Sequence, residues 1–190
     1  MTPRSVRACD VPPTPWRNGG GRTRELFASP SGPDWRVRVS LADIDADGPF
    51  SAFPDVQRWF AVLSGAGVEL RFADGLRRLD AASSPLAFDG AAAPGCRLLA
   101  GPTRDLNLML RGGARGRMER AAHGVAWGAA EPWRACFTAG PARWAGSAGV
   151  PPLALEPNTL LLGLPAGPQR LEAEGPEPMY WIAAELGEAP

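Results

Sequence analysis

The chain has 190 residues, and its 20 basic and 20 acidic residues give a formal net charge of zero at pH 7. Because no long block of like charge occurs, we expect neither nucleic acid nor an anionic membrane surface as a partner. Hydrophobic residues make up 45% of the chain, and 23 glycines and 21 prolines predict a folded protein with many turns and few long helices.

The N-terminal residues and the cysteines predict a cytoplasmic protein. Residues 1–16, MTPRSVRACDVPPTPW, lack the apolar segment of a secretory signal, and no stretch is apolar for long enough to span a bilayer. Cys9, Cys96 and Cys136 are odd in number and form no CxxC pair, which is typical of reduced thiols.

In the first half of the chain, apolar residues alternate with polar ones, as in half-buried strands. The segment WRVRVSLADI (35–44) places its valines on one face and Arg36, Arg38 and Ser40 on the other. WFAVLSGAGVELRF predicts strand, turn and strand, followed by a hairpin with Asp74-Gly75 in its turn. In RDLNLMLRGG (104–113), three leucines lie opposite Asn107, Met109 and Arg111, a polar face that either lines a pocket or meets solvent.

The second half of the chain also contains short strand-like segments separated by glycine and proline, but it does not repeat the first half at a fixed sequence period. Residues 112–132 are rich in glycine and alanine, which predicts a junction between the halves. The basic segment RGGARGRMER (111–120) lies at its start, and we favour a solvated connector there in preference to an RNA-contacting loop. Strand-like pieces follow it to the end. We therefore expect an all-β protein with two β-barrel halves, residues 1–112 and 113–190, that share a continuous core.

The segment PWRNGGGRTREL (15–26) raises the question of a phosphate-binding loop. The chain has no lysine, and Pro30 closes the segment before a useful helix, which excludes a nucleotide loop of the Walker type. Two interpretations stay open. The NGGG backbone forms either an anion-binding nest or a tight corner where strands approach closely.

The segment DGPFSAFPDVQRWFAVLSGAG (47–67) resembles the strand and turn of cupin barrels. In that alignment, the positions of the metal-binding side chains carry Ser51, Phe53, Arg58 and Thr103, so we expect no metal and no other cofactor. The single histidine, His123, lies in the junction. Arg58 either binds a carboxylate or phosphate of a ligand or pairs with an acid of its own barrel.

Five segments in series between residues 15 and 113 closely resemble the HutD/Ves family of bacterial proteins: PWRNGGGRTREL, DGPFSAFPDVQR, VLSGAGVELRF, PLAFDG and RDLNLMLRGG. The resemblance implies an RmlC-like cupin fold with two jelly-roll halves, a bicupin. It also implies a link to histidine utilisation, with a small acid such as N-formylglutamate or urocanate as the ligand type. The motif positions that the resemblance suggests for ligand binding are Trp16, Asn18, Gly19, Gly20, Gly21, Thr23, Phe53, Arg58, Asn107 and Arg111. Core filling by Trp16 and Phe53 is the alternative.

Three functions remain open on the sequence. The leading hypothesis is a metal-free binding or regulatory protein that captures a small carboxylate. The second is a metal-independent isomerase or hydrolase, with Glu25 or Asp105 as general base in a water-poor pocket. The third is an interaction protein whose cavity is filled. An acid aimed at the cavity beside Arg58 favours catalysis, and a cavity plugged by Trp or Phe favours the third. Association as a homodimer is a further open expectation.

Overall fold

A computed structural model describes residues 2–146 and 150–186, which form an almost purely β structure. Within these residues, eighteen strands and two single-turn 3-10 helices, Ala8–Asp10 and Gly90–Ala92, follow one another. In chain order the strands are β1 Arg4–Arg7, β2 Thr14–Pro15, β3 Gly21–Ser29, β4 Val37–Ile44, β5 Gly48–Pro49, β6 Val56–Ser64, β7 Val68–Phe72, β8 Gly75–Leu79, β9 Leu86–Asp89, β10 Gly95–Leu98, β11 Thr103–Arg111, β12 Arg115–Arg120, β13 Trp133–Thr138, β14 Ala142–Ala145, β15 Leu153–Leu155, β16 Thr159–Leu162, β17 Arg170–Ala173 and β18 Met179–Glu185. The predicted all-β class is confirmed.

The chain divides into two compact units. One, which we call the cavity unit, spans Val11–Ala114, and the other, the second unit, combines Met1–Asp10 with Arg115–Pro190. The predicted division at 112/113 lies two residues from this boundary. The structure differs from the predicted division in the first ten residues, which belong to the second unit because β1 pairs antiparallel with β16 at the edge of its sheet. A shared core and a bicupin arrangement stay predictions.

The cavity unit contains two antiparallel sheets. The larger has the order β2-β3-β4-β11-β6-β9 and the smaller the order β5-β10-β7-β8. Alternation along the central strands follows the sequence pattern: Val37, Val39 and Leu41 are fully buried on one face of β4. Between the sheets, apolar side chains including Phe50, Phe60 and Leu70 form a core.

The second unit has a five-stranded sheet, β1-β16-β13-β18-β12, and a three-stranded sheet, β15-β14-β17. Its core includes the large side chains Trp144 and Trp181, both almost fully buried. No helix of the described residues is long and apolar enough to cross a membrane.

Two local expectations need correction. The segment RGRMER is not a connector: it forms β12, which pairs with β18 over its whole length, and Met118 points inward with 1% of its surface exposed. The alternation of buried and exposed side chains in RGRMER is hard to recognise in the sequence, because glycines flank the segment and arginines occupy its exposed positions. The hairpin after β7 turns through Ala73 and Asp74, so that Gly75, with φ of 138°, already opens β8.

Candidate functional site: a polar cavity in the larger sheet

One face of the larger sheet lines a cavity of about 960 Å³ in the cavity unit. Because successive side chains of a strand point to opposite faces, every second residue of β3, β4 and β11 reaches it. The sheet residues that line it are Thr23 and Glu25 on β3, Arg38, Ser40 and Ala42 on β4, Arg58 on β6, and Asp105, Asn107 and Met109 on β11. Phe50, Phe53 and the segment around Trp16 complete the wall.

Strand register sets which of these side chains are neighbours. Met109 stands between Arg38 on β4 and Arg58 on β6, and Asn107 stands opposite Ser40. Asp105 follows at the next inward position of β11. The polar groups therefore form a patch across three hydrogen-bonded strands, and hydrogen bonds of the sheet hold their Cα atoms in place.

Arg58 is a buried guanidinium, with 5% of its surface exposed. Its Nη2 donates to Asn107 Oδ1 over 2.7 Å, while its Nε is buried without a hydrogen-bond partner in the described structure. The rings of Phe50, Phe53 and Phe88 lie 5.2, 5.6 and 5.1 Å from the guanidinium carbon, so ring faces partly replace water around the charge. Burial lowers the pKa of Arg58 to about 10, against the opposing charge of Asp105.

Asp105 is a buried acid, with 1% of its surface exposed. Its Oδ1 accepts a hydrogen bond of 2.5 Å from Asn107 Nδ2, and its Oδ2 has no partner in the described structure. Burial raises the pKa of Asp105 to about 8, although the charge of Arg58 and the Asn107 hydrogen bond act in the opposite direction. Asn107 thus joins a cation and a mostly neutral acid in one chain of hydrogen bonds.

An ion pair lies on the same wall of the cavity. Arg38 Nε contacts Glu25 Oε2 at 2.7 Å, and both side chains line the cavity. Arg24 instead reaches Asp43 Oδ2 at 3.0 Å from the opposite face of β3. Glu25 is therefore the member of the Arg24–Glu25 pair that faces the cavity, and its carboxylate is already held by Arg38.

The Trp16 segment forms one rim of the cavity. Trp16 Nε1 donates to Thr23 Oγ1 over 2.7 Å, and Asn18 Oδ1 accepts from the Gly20 amide over 3.0 Å. A Cβ on Gly21 would lie 2.3 Å from the Asp43 carbonyl oxygen and 3.1 Å from the Trp16 ring. The glycines therefore form a tight turn and a close strand contact, which is the second of the two interpretations left open for NGGG.

The predicted site residues fall into three groups. Those that line the cavity are Trp16, Asn18, Thr23, Phe53, Arg58 and Asn107. Gly19, Gly20 and Gly21 shape the rim but are not among the lining residues. Arg111 lies one inward position beyond Met109, where it donates to the carbonyls of Pro33 and Trp35 and stacks 4.4 Å from the Trp35 ring. It is a structural residue of that loop.

Arg38 and Ser40 are cavity residues that the sequence-based site prediction missed. The sequence did place both on the polar face of β4, opposite the buried valines. Only the order β3-β4-β11-β6 shows that this polar face looks into a cavity instead of solvent. Pairing order depends on contacts between residues far apart in the chain, which periodicity does not encode.

The cavity does not fit a metal centre. Over residues 2–146 and 150–186, no group of three or more His, Cys, Asp or Glu side chains is placed to hold an ion. Arg58 brings a guanidinium cation to the position where the cupin alignment has a carboxylate. His123 lies in the second unit, where its Nδ1 accepts from the Ala173 amide over 3.0 Å.

Comparison with known proteins identifies the family, because a family model named HutD matches residues 8–177. The chain belongs to the HutD family. A solved HutD structure from Pseudomonas fluorescens SBW25, in a formate condition, is 25% identical and covers 98% of this chain and 100% of that one, with a TM-score of 0.84. A conserved protein of unknown function from Pseudomonas aeruginosa PAO1 is 30% identical, with a TM-score of 0.83 over 97% of this chain and 100% of that one.

Curated relatives match about half of this HutD-family chain. An uncharacterised protein in the hutC 3′ region of Pseudomonas putida is 41% identical over 106 residues, 55% of this chain and 56% of that protein. Protein Ves of Citrobacter koseri is 35% identical over 103 residues, 53% of this chain and 54% of Ves. The chain thus spans about half the length of these relatives.

At the level of fold alone, a mutant of Bacillus subtilis oxalate decarboxylase OxdC has a TM-score of 0.63 at 10% identity, covering 97% of this chain and 78% of that one. The fold is that of the cupins.

Proposed function

We propose that this HutD-family protein binds a small organic carboxylate in the cavity, with Arg58 as its anchor. The observation that carries the proposal is a buried guanidinium that lines the cavity and whose Nε has no partner in the described structure. A guanidinium presents parallel N–H donors that match the two oxygens of a carboxylate. Trp16 and Phe53 offer apolar contacts to the rest of such a ligand.

The proposed biological role is accessory or regulatory, in histidine utilisation. The support is the family and the Pseudomonas putida relative, which lies in the hutC 3′ region. Ligands consistent with an arginine anchor are acids of histidine degradation such as N-formylglutamate and urocanate. The absence of a cofactor and of nucleic-acid or membrane partners, self-association as a dimer, and a cytoplasmic location stay predictions.

A second candidate, an enzyme without a metal, is favoured by Asp105. A buried acid in the cavity, with its pKa raised to about 8, has the property that general acid–base catalysis requires near neutral pH. Proton NMR of each candidate acid, incubated with the protein, separates the two functions. A binding protein leaves the acid chemically unchanged, whereas an enzyme produces new resonances from a product, and the Asp105→Ala variant should not produce them.

The test of the anchor is calorimetric titration of N-formylglutamate, urocanate and formate. We expect Arg58→Ala to weaken binding by a few kcal/mol, in the range of about 2–5 kcal/mol for a buried charged contact. Arg58→Lys should weaken it less, because the charge is kept and the two-donor geometry is lost. Arg111→Lys is the matched control, because Arg111 does not line the cavity and donates instead to the backbone carbonyls of Pro33 and Trp35. This variant should bind the ligand like the wild-type protein. Wild-type affinity in folded Arg58→Ala would refute the anchor.

A further inference from the structure

Asp105 is the strongest unused group of the cavity. The proposed function employs Arg58, but it leaves unexplained a carboxyl group that is 1% exposed, lines the same cavity and has an oxygen without a partner in the described structure. Buried polar atoms are almost always satisfied, so an unpartnered one at a cavity wall indicates a missing hydrogen-bonding group. Among the residues that the structure describes, neither Arg58 Nε nor Asp105 Oδ2 has a partner, and Asn107 joins the two residues.

We propose that Asp105 is a second ligand-binding residue: protonated, it donates a hydrogen bond from Oδ2 to the carboxylate that Arg58 holds. This inference rests on the proposed function, and it adds a protonation requirement to it. The ligand carboxylate would then accept from two donors of different kind, a guanidinium N–H and a carboxylic O–H.

The hydrogen-bond inventory assigns the proton to Oδ2. Asn107 Oδ1 accepts from Arg58, which orients the amide so that its Nδ2 donates to Asp105 Oδ1. Oδ1 is therefore an acceptor, and Oδ2 is the oxygen that is left to carry a proton. An ionised Asp105 has acceptors alone and would face an acceptor-only ligand carboxylate with a second negative charge. The neutral form is the one that fits.

Charged groups around Asp105 act on its protonation from several strands. Arg58 on β6 favours the ionised form, while Asp43 on β4 and burial favour the neutral one. On β10, the Cys96 thiol has its pKa raised to about 12 by burial and by Asp105, so it stays neutral. Glu25 and Arg38 face the cavity as an ion pair. With a pKa of about 8, Asp105 is mostly protonated at neutral pH before any ligand arrives.

The consequence is proton-linked binding. Below about pH 8 the protonated acid is already present, and a ligand anion binds without proton exchange. Above that value, binding must take up one proton from solvent, so affinity should fall by about tenfold per pH unit. The proton that is taken up stays on Asp105 Oδ2 and is shared in the hydrogen bond to the ligand.

The experiment measures N-formylglutamate affinity by calorimetry from about pH 6 to about pH 9.5, a range in which the carboxyl groups of this probe stay ionised. The wild-type protein should show constant affinity and then a decline above about pH 8. In buffers of different ionisation enthalpy at about pH 9, it should take up close to one proton per ligand. This wild-type measurement requires no variant to fold.

Asp105→Asn is the decisive variant, because an amide keeps an acceptor for Asn107 and a donor for the ligand but cannot ionise. It should retain binding at neutral pH and lose both the decline and the proton uptake. Glu25→Gln, which removes another acid of the same cavity, should retain the decline. A flat wild-type profile, or a decline that persists in Asp105→Asn, would overturn the role of Asp105 while leaving Arg58 as anchor. If N-formylglutamate, urocanate and formate all fail to bind, the proposed function itself is refuted, and this inference with it.

Discussion

At the scale of single residues, burial changes the acid–base chemistry of two side chains that look ordinary in the sequence. Arg58 and Asp105 lie on adjacent strands and are joined through Asn107. Burial lowers the pKa of the first and raises that of the second. A buried acid that folds in its neutral form opposes stability wherever the unfolded chain would ionise it. Asp105 consequently lowers the stability of the fold at neutral pH, and the proposed ligand-binding role offers a reason for its presence there.

We predict that Asp105→Asn stabilises the protein in a pH-dependent way. The pKa of Asp105 is higher in the folded chain than in the unfolded chain. The contribution of Asp105 to stability is therefore greatest at a pH below the ordinary pKa of an aspartate, and it is lost as the pH rises to about 8. The free energy of unfolding of the variant should therefore exceed that of wild type increasingly between about pH 4 and about pH 8, by up to a few kcal/mol at about 1.4 kcal/mol per pKa unit.

The measurement is urea unfolding at several pH values. Asp74→Asn is the control, since this side chain is 73% exposed in the β7–β8 turn and its replacement should have a small effect throughout. A pH-independent difference between Asp105→Asn and the wild-type protein would show that Asp105 is ionised in the folded state.

At the scale of elements, the larger sheet sets which residues reach the cavity. A bulge in β3 between Glu25 and Phe27 inserts Leu26, so that Glu25 stands opposite Ser40 and Ala28 opposite Arg38. Leu26 is buried, with 4% of its surface exposed. Glu25 shares the face of Thr23, as simple alternation along β3 predicts, and the bulge then brings Ala28 opposite the inward-facing Arg38 of β4, which alternation does not predict.

The turn between β6 and β7 packs a glycine tightly against the end of β8 in the smaller sheet, and we predict that Gly67→Ala is strongly destabilising. Gly67 has φ of 97°, and a Cβ there would lie 2.1 Å from the Leu79 carbonyl oxygen. Gly101 has φ of 70° with no atom within 4 Å of the same position, so Gly101→Ala tests the conformational cost alone, about 1–2 kcal/mol. Urea unfolding should show a clearly larger loss of stability for Gly67→Ala. Equal losses would mean that the Leu79 backbone moves aside freely.

At the scale of the whole molecule, the chain leaves one unit and returns to it. Residues 2–10 contribute β1 to the sheet of the second unit, and residues 11–114 then build the cavity unit before the chain continues as β12. Arg4 pairs with Leu162 and Arg7 with Thr159, so β1 covers one edge of β16. An edge strand that is covered in this way is protected from solvent and from pairing with other chains.

We predict that deletion of residues 2–10 exposes β16. Hydrogen exchange should become about tenfold or more faster at the β16 amides that bond to β1, because their acceptors are removed and the strand becomes an edge. Amides of β18, which lies between β13 and β12, serve as the internal reference and should change less. Unchanged protection of β16 would show that β1 contributes nothing to the stability of this sheet.

The sequence alone determined the all-β class, the family, and six cavity residues, from Trp16 to Asn107, because alternation and motif spacing are local properties that a single chain displays. Tertiary structure decided the rest. It placed β1 and β12 at the two edges of one sheet, directed Arg38 and Ser40 into a cavity, and engaged Arg111 at the Trp35 loop. It also removed Asp105 from water, which raises the pKa of its carboxyl group. These outcomes depend on which distant strands pair and on how completely a charge is removed from water, and neither quantity can be read from neighbouring residues in the chain.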